Sequence, residues 1–175
     1  MNNASWYVLT GGPCAGKTTT LLELEKRGYP ILHEPARKMI ERELASGKTF
    51  EEIKMPLDAF LNRIVEEALR HKTATPKDTQ LFLDRGVVDS VAYYRLAGVP
   101  ITKILDDAGR SAPYKKVFLF DLVDFKTDHV RQETPEEAAR IHEGLAQAYT
   151  DYGFDVLRVP VMPVVERADF VLAHL

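Results

Sequence analysis

The sequence predicts an α/β fold in which a parallel β-sheet is covered by helices on both faces. Three observations predict it. Five short apolar runs of strand length are separated by stretches of helical periodicity. The runs are continuously apolar, as strands buried on both faces must be. The first leads into Gly11-Gly12-Pro13-Cys14-Ala15-Gly16-Lys17-Thr18, which fits the phosphate-binding pattern G-x-x-x-x-G-K-[ST] without a mismatch and precedes a helix.

Residues 6–9 form the first strand and end in the glycine-rich stretch. A helix over 17–27 follows, with Leu21, Leu22 and Leu24 expected on its apolar face and Gly28 ending it. Residues 29–33, YPILH, read as the second strand and deliver Glu34, and 37–45 read as helix. Thr49 and Glu52 are spaced as a capping box, and Pro56 is expected to start or kink the helix beyond. That helix carries Leu57, Phe60, Leu61, Ile64, Ala68 and Leu69 on one stripe.

Residues 81–83 make a buried strand with Asp84 and Arg85 at its end, followed by a helix over 88–97. Residues 117–120 form the fourth strand and lead into a polar stretch without clear period. Thr134-Pro135-Glu136-Glu137 then opens a helix with both a capping box and proline at the first helical position. Ala138, Ile141, Leu145, Ala148 and Tyr152 should line its inner face. Residues 156–159 are the last strand and 164–175 a closing helix. With no internal repeat or linker, 1–175 reads as one domain.

Composition bounds the function. The chain has 175 residues, 45% of them hydrophobic and 28% charged, with a net charge of -3. That charge argues against a generic polyanion binder, and no basic stripe or stacking platform points to nucleic acid. The single cysteine, Cys14, forms no intrachain disulfide, and a reducing, cytoplasmic setting is expected. The N-terminus lacks the basic and apolar regions of a signal peptide, and no uncharged apolar run approaches the roughly 18 residues of a membrane span.

The glycine-rich stretch carries the first chemistry. A loop between a buried strand and a helix start can aim several backbone N–H groups at one phosphate chain, and the helix N-terminus adds partial positive charge. Gly11, Gly12, Pro13, Cys14, Ala15, Gly16, Lys17, Thr18 and Thr19 make up the expected nucleotide site. Lys17 is a compact cation able to reach the β- and γ-phosphates, and the Thr18 hydroxyl can coordinate Mg²⁺. Cys14 is read as a small residue suited to a tight turn rather than as a redox switch.

The carboxyl ends of parallel strands converge on one ligand site, so the residues there are candidates. Asp84 can hold Mg²⁺ or take the proton from an attacking hydroxyl, and Arg85 can grip an anion as a bidentate fork. Glu34 is a candidate general base and Arg37 a candidate substrate contact. Glu34 can equally cap the following helix. Residues 124–134 read as a mobile lid whose Lys126 and Arg131 can swing over a transferring phosphate, with Arg131 preferred. Pro160-Val161-Met162-Pro163 offers an apolar wall for an adenine ring. The five histidines show no metal-ligand spacing.

The stretches GGPCAGKTT, EPAR, LFLDRGVVDSVAYYRLAG, KTDHVRQET and ERADFVL, in that order from residue 9 to 172, resemble the NadR-like P-loop ATPase family, short domains related to the ribosylnicotinamide kinase part of NadR. The resemblance implies a three-layer P-loop NTPase fold of the nucleoside and nucleotide kinase kind, with five parallel strands in the order 2-3-1-4-5. Asp84-Arg85 is similar to the acid–arginine motif of thymidylate and deoxynucleoside kinases, where the acid acts near the phosphate acceptor. Glu34-Pro35 is similar to the Glu-Pro of the deoxynucleoside kinases, whose glutamate serves as base. The choice of base between Glu34 and Asp84 stays open.

The base-reading motif of GTPases is incomplete in FKTD at 125–128, so ATP with Mg²⁺ is the expected cofactor. The chain is short for a ring-forming motor with a helical lid domain. The expected function is a kinase that transfers the γ-phosphate of ATP to a small-molecule hydroxyl or phosphate, with the acceptor near Glu34, Arg37 and Arg85. The alternative is an ATP-gated regulator without a metabolite acceptor, whose lid closure is read by a protein partner.

Overall fold

The computed structural model describes residues 5–75, 79–123 and 134–175. The first half of the chain forms β1 (Ser5–Thr10), α1 (Lys17–Lys26), β2 (Ile31–Leu32), α2 (Pro35–Ala45), α3 (Phe50–Lys54) and α4 (Leu57–Ala74). Next come β3 (Gln80–Asp84), α5 (Val87–Ala97), α6 (Lys103–Arg110) and β4 (Tyr114–Phe120). The chain closes with α7 (Pro135–Asp151), β5 (Val156–Val159) and α8 (Val164–Ala173).

The five strands are all parallel and lie in the order β2-β3-β1-β4-β5, which the family resemblance implied. Side chains alternate across a strand, and β1 therefore divides the core in two. Trp6 and Val8 pack with Leu83, Val91, Leu119 and Leu145 beneath α2 and α4–α7. Tyr7 and Leu9 pack with Leu21, Leu24, Phe118 and Val171 beneath α1 and α8. Both faces of the sheet are covered, as the continuously apolar strands require.

Local sequence rules place most helix ends. Thr49 and Thr134 each accept a hydrogen bond from the N–H three residues on, Glu52 and Glu137, whose carboxylates reach back to the cap backbone at 2.7 Å. Pro56 stands at the N-cap of α4 and Pro135 at the start of α7.

Four readings change. β2 is two residues long rather than five, because Pro30 has no N–H to give the ladder; its carbonyl still accepts from Phe82 at 3.0 Å. α2 starts at Pro35 rather than residue 37, since proline suits the first helical turn. Leu22 is 50% exposed, whereas Leu21 and Leu24 are fully buried, because one helical step carries it off their face. Finally, α6 was not anticipated: it is only eight residues long and contains Gly109, yet Thr102 caps it, Leu105, Ala108 and Gly109 share its buried face, and Gly109 lets Tyr152 pack close.

Candidate functional site

The strand order sets β3 and β4 on either side of β1, so the loops after these strands meet at one edge of the sheet. Register carries this to particular residues, with Leu9 opposite Asp84 and Thr10 opposite Leu119. The glycine-rich loop leaves Thr10 and returns into α1 at Lys17. Gly11 has φ 140°, and a Cβ there would lie 2.6 Å from the Phe120 carbonyl oxygen. Gly16 has φ 77°, and a Cβ there would run into the Arg167 guanidinium. Cys14 takes a left-handed conformation at φ 60°, the turn role its size allows.

Lys17 is 7% exposed and donates to the carbonyls of Gly11 and Gly12, both at 2.9 Å. Burial, with Arg85 adding its repulsion, pushes its pKa down to about 7, although Asp84, Glu34 and Asp89 pull the other way. A lysine so placed gains its charge back when an anion arrives. Thr19 is exposed and its hydroxyl turns back onto the Gly16 carbonyl at 2.8 Å.

The Thr18 hydroxyl donates to Asp84 Oδ2 at 3.1 Å, which joins the loop to the end of β3. Asp84 is 3% exposed, and its Oδ1 is buried without a hydrogen-bond partner. An orphaned carboxylate oxygen beside a threonine hydroxyl is the donor set that a hard divalent cation takes, directly or through water. The residues therefore fit Mg²⁺.

Arg85 follows with φ 67°, outside the usual range for a side-chain-bearing residue. Its Nε lies 3.2 Å from Glu34 Oε1 and its Nη1 3.1 Å from Asp89 Oδ1. Burial opposes its charge, but Tyr93, Glu34, Asp89 and Asp84 outweigh that and raise its pKa well above the ordinary arginine value. Glu34 is at the N-cap of α2 and makes no side-chain cap bond there, so its carboxylate serves the cleft rather than the helix end. Arg37, one turn on, is largely exposed and lies 3.5 Å from Glu41.

Sequence reasoning missed Asp89, which holds this corner. It accepts from the Thr10 hydroxyl at 2.6 Å, the Gly86 N–H at 2.9 Å, the Tyr149 hydroxyl at 2.5 Å and Arg85. Tyr114 accepts from the Val87 N–H at 2.8 Å, and burial keeps both phenols neutral by raising their pKa. An acid at the third helical position, four residues after Arg85, was the signal available. Arg167 was missed too. It is 8% exposed on α8 and donates to the Ala15 carbonyl at 3.2 Å, and burial lowers its pKa. Nothing local marks that contact, which spans 152 residues of chain.

A cavity of about 560 Å³ gathers Lys17, Thr18, Glu34, Arg37, Asp84 and Arg85 along one wall and runs on between α2, α4 and α5. Arg131, Lys126 and all but the last residue of the expected lid lie outside the described residues. Residues 160–163 follow β5 as expected, with Val161 exposed. No helix among the described residues is long and apolar enough to cross a membrane.

Fold and site together define a protein of the P-loop kinase fold, with helices on both faces of a 2-3-1-4-5 sheet. A family model described as an AAA domain matches residues 6–167, and the chain belongs to that family. Solved structures of NadR are similar. One, in complex with NAD and AMP-PNP, has a TM-score of 0.72 and 17% identity over 98% of this chain and 49% of that one. Another, in complex with NR, has a TM-score of 0.66 and 19% identity over 90% of this chain and 44% of that one. The chain thus spans about half the length of these NadR chains. Thymidylate kinase from Ehrlichia chaffeensis matches with a TM-score of 0.70 at 13% identity, over 98% of both chains. No match is found among curated proteins.

Proposed function

We propose that this chain is an ATP-dependent kinase that passes the γ-phosphate to a small-molecule acceptor. One observation carries the reading: the phosphate loop opens into an acceptor-sized cavity whose near wall bears Glu34, Asp84 and Arg85. A regulator without a metabolite acceptor needs no such chamber, and typical small-molecule pockets run from about 300 to 1,000 Å³. The similar structures, of NadR, thymidylate kinase and deoxyadenosine kinase, support the same class.

In this reading residues 11–19 hold the phosphates of ATP through backbone N–H groups and the start of α1. Lys17 leaves its loop carbonyls for the β- and γ-phosphates. Thr18 and Asp84 hold Mg²⁺, which when bound neutralises charge between the phosphates. Glu34 accepts the acceptor's hydroxyl proton, because Asp84 is occupied by Thr18 and set deeper at the strand end. Arg85, fixed by Glu34 and Asp89, faces the acceptor, and Arg37 contacts it at the cavity edge. Arg131, on a lid at 124–134 of a single domain over 1–175, adds charge as the phosphoryl group transfers. Catalysis is then positioning and electrostatics. Its co-substrate makes the cytoplasm the setting.

The test is ADP formation from ATP-Mg²⁺ with and without pooled alcohols, nucleosides and nucleotides, in wild type, Lys17→Ala and Asp84→Ala. Acceptor-dependent ADP release that both substitutions abolish is expected. Turnover indifferent to every pool, and lost only with Lys17→Ala, would favour the ATP-gated regulator and its protein partner instead.

A further inference from the structure

The composition of the cavity says more than its position. Its hydrogen-bonding and charged groups crowd the phosphate-loop end, at Lys17, Thr18, Glu34, Asp84 and Arg85. Beyond them the walls are carried by Ile40, Leu44, Phe50, Leu57, Leu61 and Ile64. These come from α2, α3 and α4, and the backbone groups of Ile40, Leu61 and Ile64 lie inside their helices, where the helical ladder takes them up.

Away from the loop and the Asp89 corner the polar side chains that line the cavity are few among the described residues: Glu41, Lys54, Ser90 and Tyr93, with Arg37 at the edge. Among the described residues no asparagine or glutamine lines the cavity. Asn62, the amide on α4, does not line it and accepts from the Tyr94 hydroxyl through Oδ1 at 2.6 Å. The outlying charges are engaged, with Arg37 beside Glu41 and the Lys54 ammonium 4.1 Å over the Phe50 ring. A nucleobase laid along the aliphatic wall of α2 and α4 would lose its water there and leave its polar edge unpaired, a cost of about 1–3 kcal/mol for each such group. An alkyl body has no such groups to satisfy.

The mouth is apolar as well. Leu44 and Leu57 are each 40% exposed and Leu96 is 38% exposed, and all three border the cavity. These partly exposed aliphatic side chains extend the apolar surface that a ligand in the cavity could cover.

The geometry points to an amphiphilic alcohol as the acceptor, its hydroxyl beside Glu34 and Arg85 and its apolar body laid along α2 and α4. This rests on the kinase reading and names the substrate class of the same site. The hydroxyl oxygen forms a bond to the γ-phosphorus of ATP, its proton passes to Glu34, and the bond from the γ-phosphorus to the β,γ-bridging oxygen breaks, its electron pair leaving with ADP. The product is an alkyl phosphate monoester.

Trp6, the sole tryptophan, lines the cavity and is 1% exposed, so its fluorescence reports what enters. The experiment titrates linear alcohols from butan-1-ol to decan-1-ol, together with adenosine and thymidine, in the presence of ADP-Mg²⁺. Each added methylene should tighten binding about fourfold. Decan-1-ol should bind more tightly than either nucleoside and should yield decyl phosphate with ATP-Mg²⁺. Ile64→Asn should weaken decan-1-ol about tenfold or more. Leu44→Asn, at an exposed position that does not endanger folding, should weaken it several-fold, with ADP-Mg²⁺ affinity as the folding control.

Affinity indifferent to chain length, or a nucleoside that binds more tightly and is phosphorylated, would overturn this inference and leave the kinase reading standing. Alcohols that bind with the chain-length slope while neither they nor the nucleosides and nucleotides are phosphorylated would overturn the kinase reading, and the acceptor role with it.

Discussion

The two ends of the cavity are built from different materials. The phosphate end is built on one backbone loop and the side chains that border it: Gly11 and Gly16 stand where no Cβ fits, and the start of α1, with Lys17 and Thr18, follows directly. The acceptor end is side chains alone, brought together from three helices that follow one another between Glu34 and residue 74. Backbone recognition is cheap to specify in sequence, because eight consecutive residues do it. Side-chain recognition is distributed, and its meaning appears only when the helices pack.

The largest effect that can break this contrast is at Lys17. Lys17→Ala should cut acceptor-dependent turnover on the order of 10²–10³-fold, since it removes a charge aimed at the developing phosphoryl transition state. Single-turnover kinetics measure it. A loss below tenfold would mean that the loop holds phosphate by backbone alone.

Next is the corner between the two ends. Asp89→Asn should cost about 3 kcal/mol in urea unfolding, because it strips a buried carboxylate from Arg85 and unsettles the bonds from Thr10, Gly86 and Tyr149. Its effect on acceptor KM should exceed its effect on ATP affinity if Arg85 faces the acceptor as proposed.

The pH dependence of ATP binding sharpens the same contrast. The pKa of Lys17 is lowered to about 7 in the free loop and must rise when phosphates pair with it. Below that pH the ammonium is already formed and affinity is full. Above it, binding must take up a proton, so affinity falls by up to about tenfold per pH unit. Calorimetry at pH 8.5 in buffers of different ionisation enthalpy should show close to one proton taken up. Alcohol binding at the apolar end should be unmoved over the same range.

Least affected should be stability in Leu44→Asn, which at 40% exposure should unfold within about 0.5 kcal/mol of wild type. Larger destabilisation would make Leu44 part of the core rather than of a ligand surface.

The same division explains what could be read in advance. The sheet, the phosphate loop, both capping boxes and the juxtaposition of Glu34, Asp84 and Arg85 follow from local pattern and from the rule that strand ends converge. Asp89 was legible in principle as an acid in the first turn of α5, but its four donors come from three separate parts of the chain. Arg167 meets Ala15 across the whole fold, with no periodicity to announce it. The aliphatic wall was legible only as a helix stripe. Ile64 and Leu61 read as core on α4, and only the packing of the helices shows that they line a cavity.

The central claim is phosphoryl transfer rather than hydrolysis, and phosphorus NMR of ATP-Mg²⁺ turnover with decan-1-ol and the nucleosides present tests it most directly. The γ-phosphorus should appear as a monoester resonance, matched one for one by ADP, and neither should form in Lys17→Ala. Accumulation of inorganic phosphate alone, at a rate no acceptor changes, would contradict it.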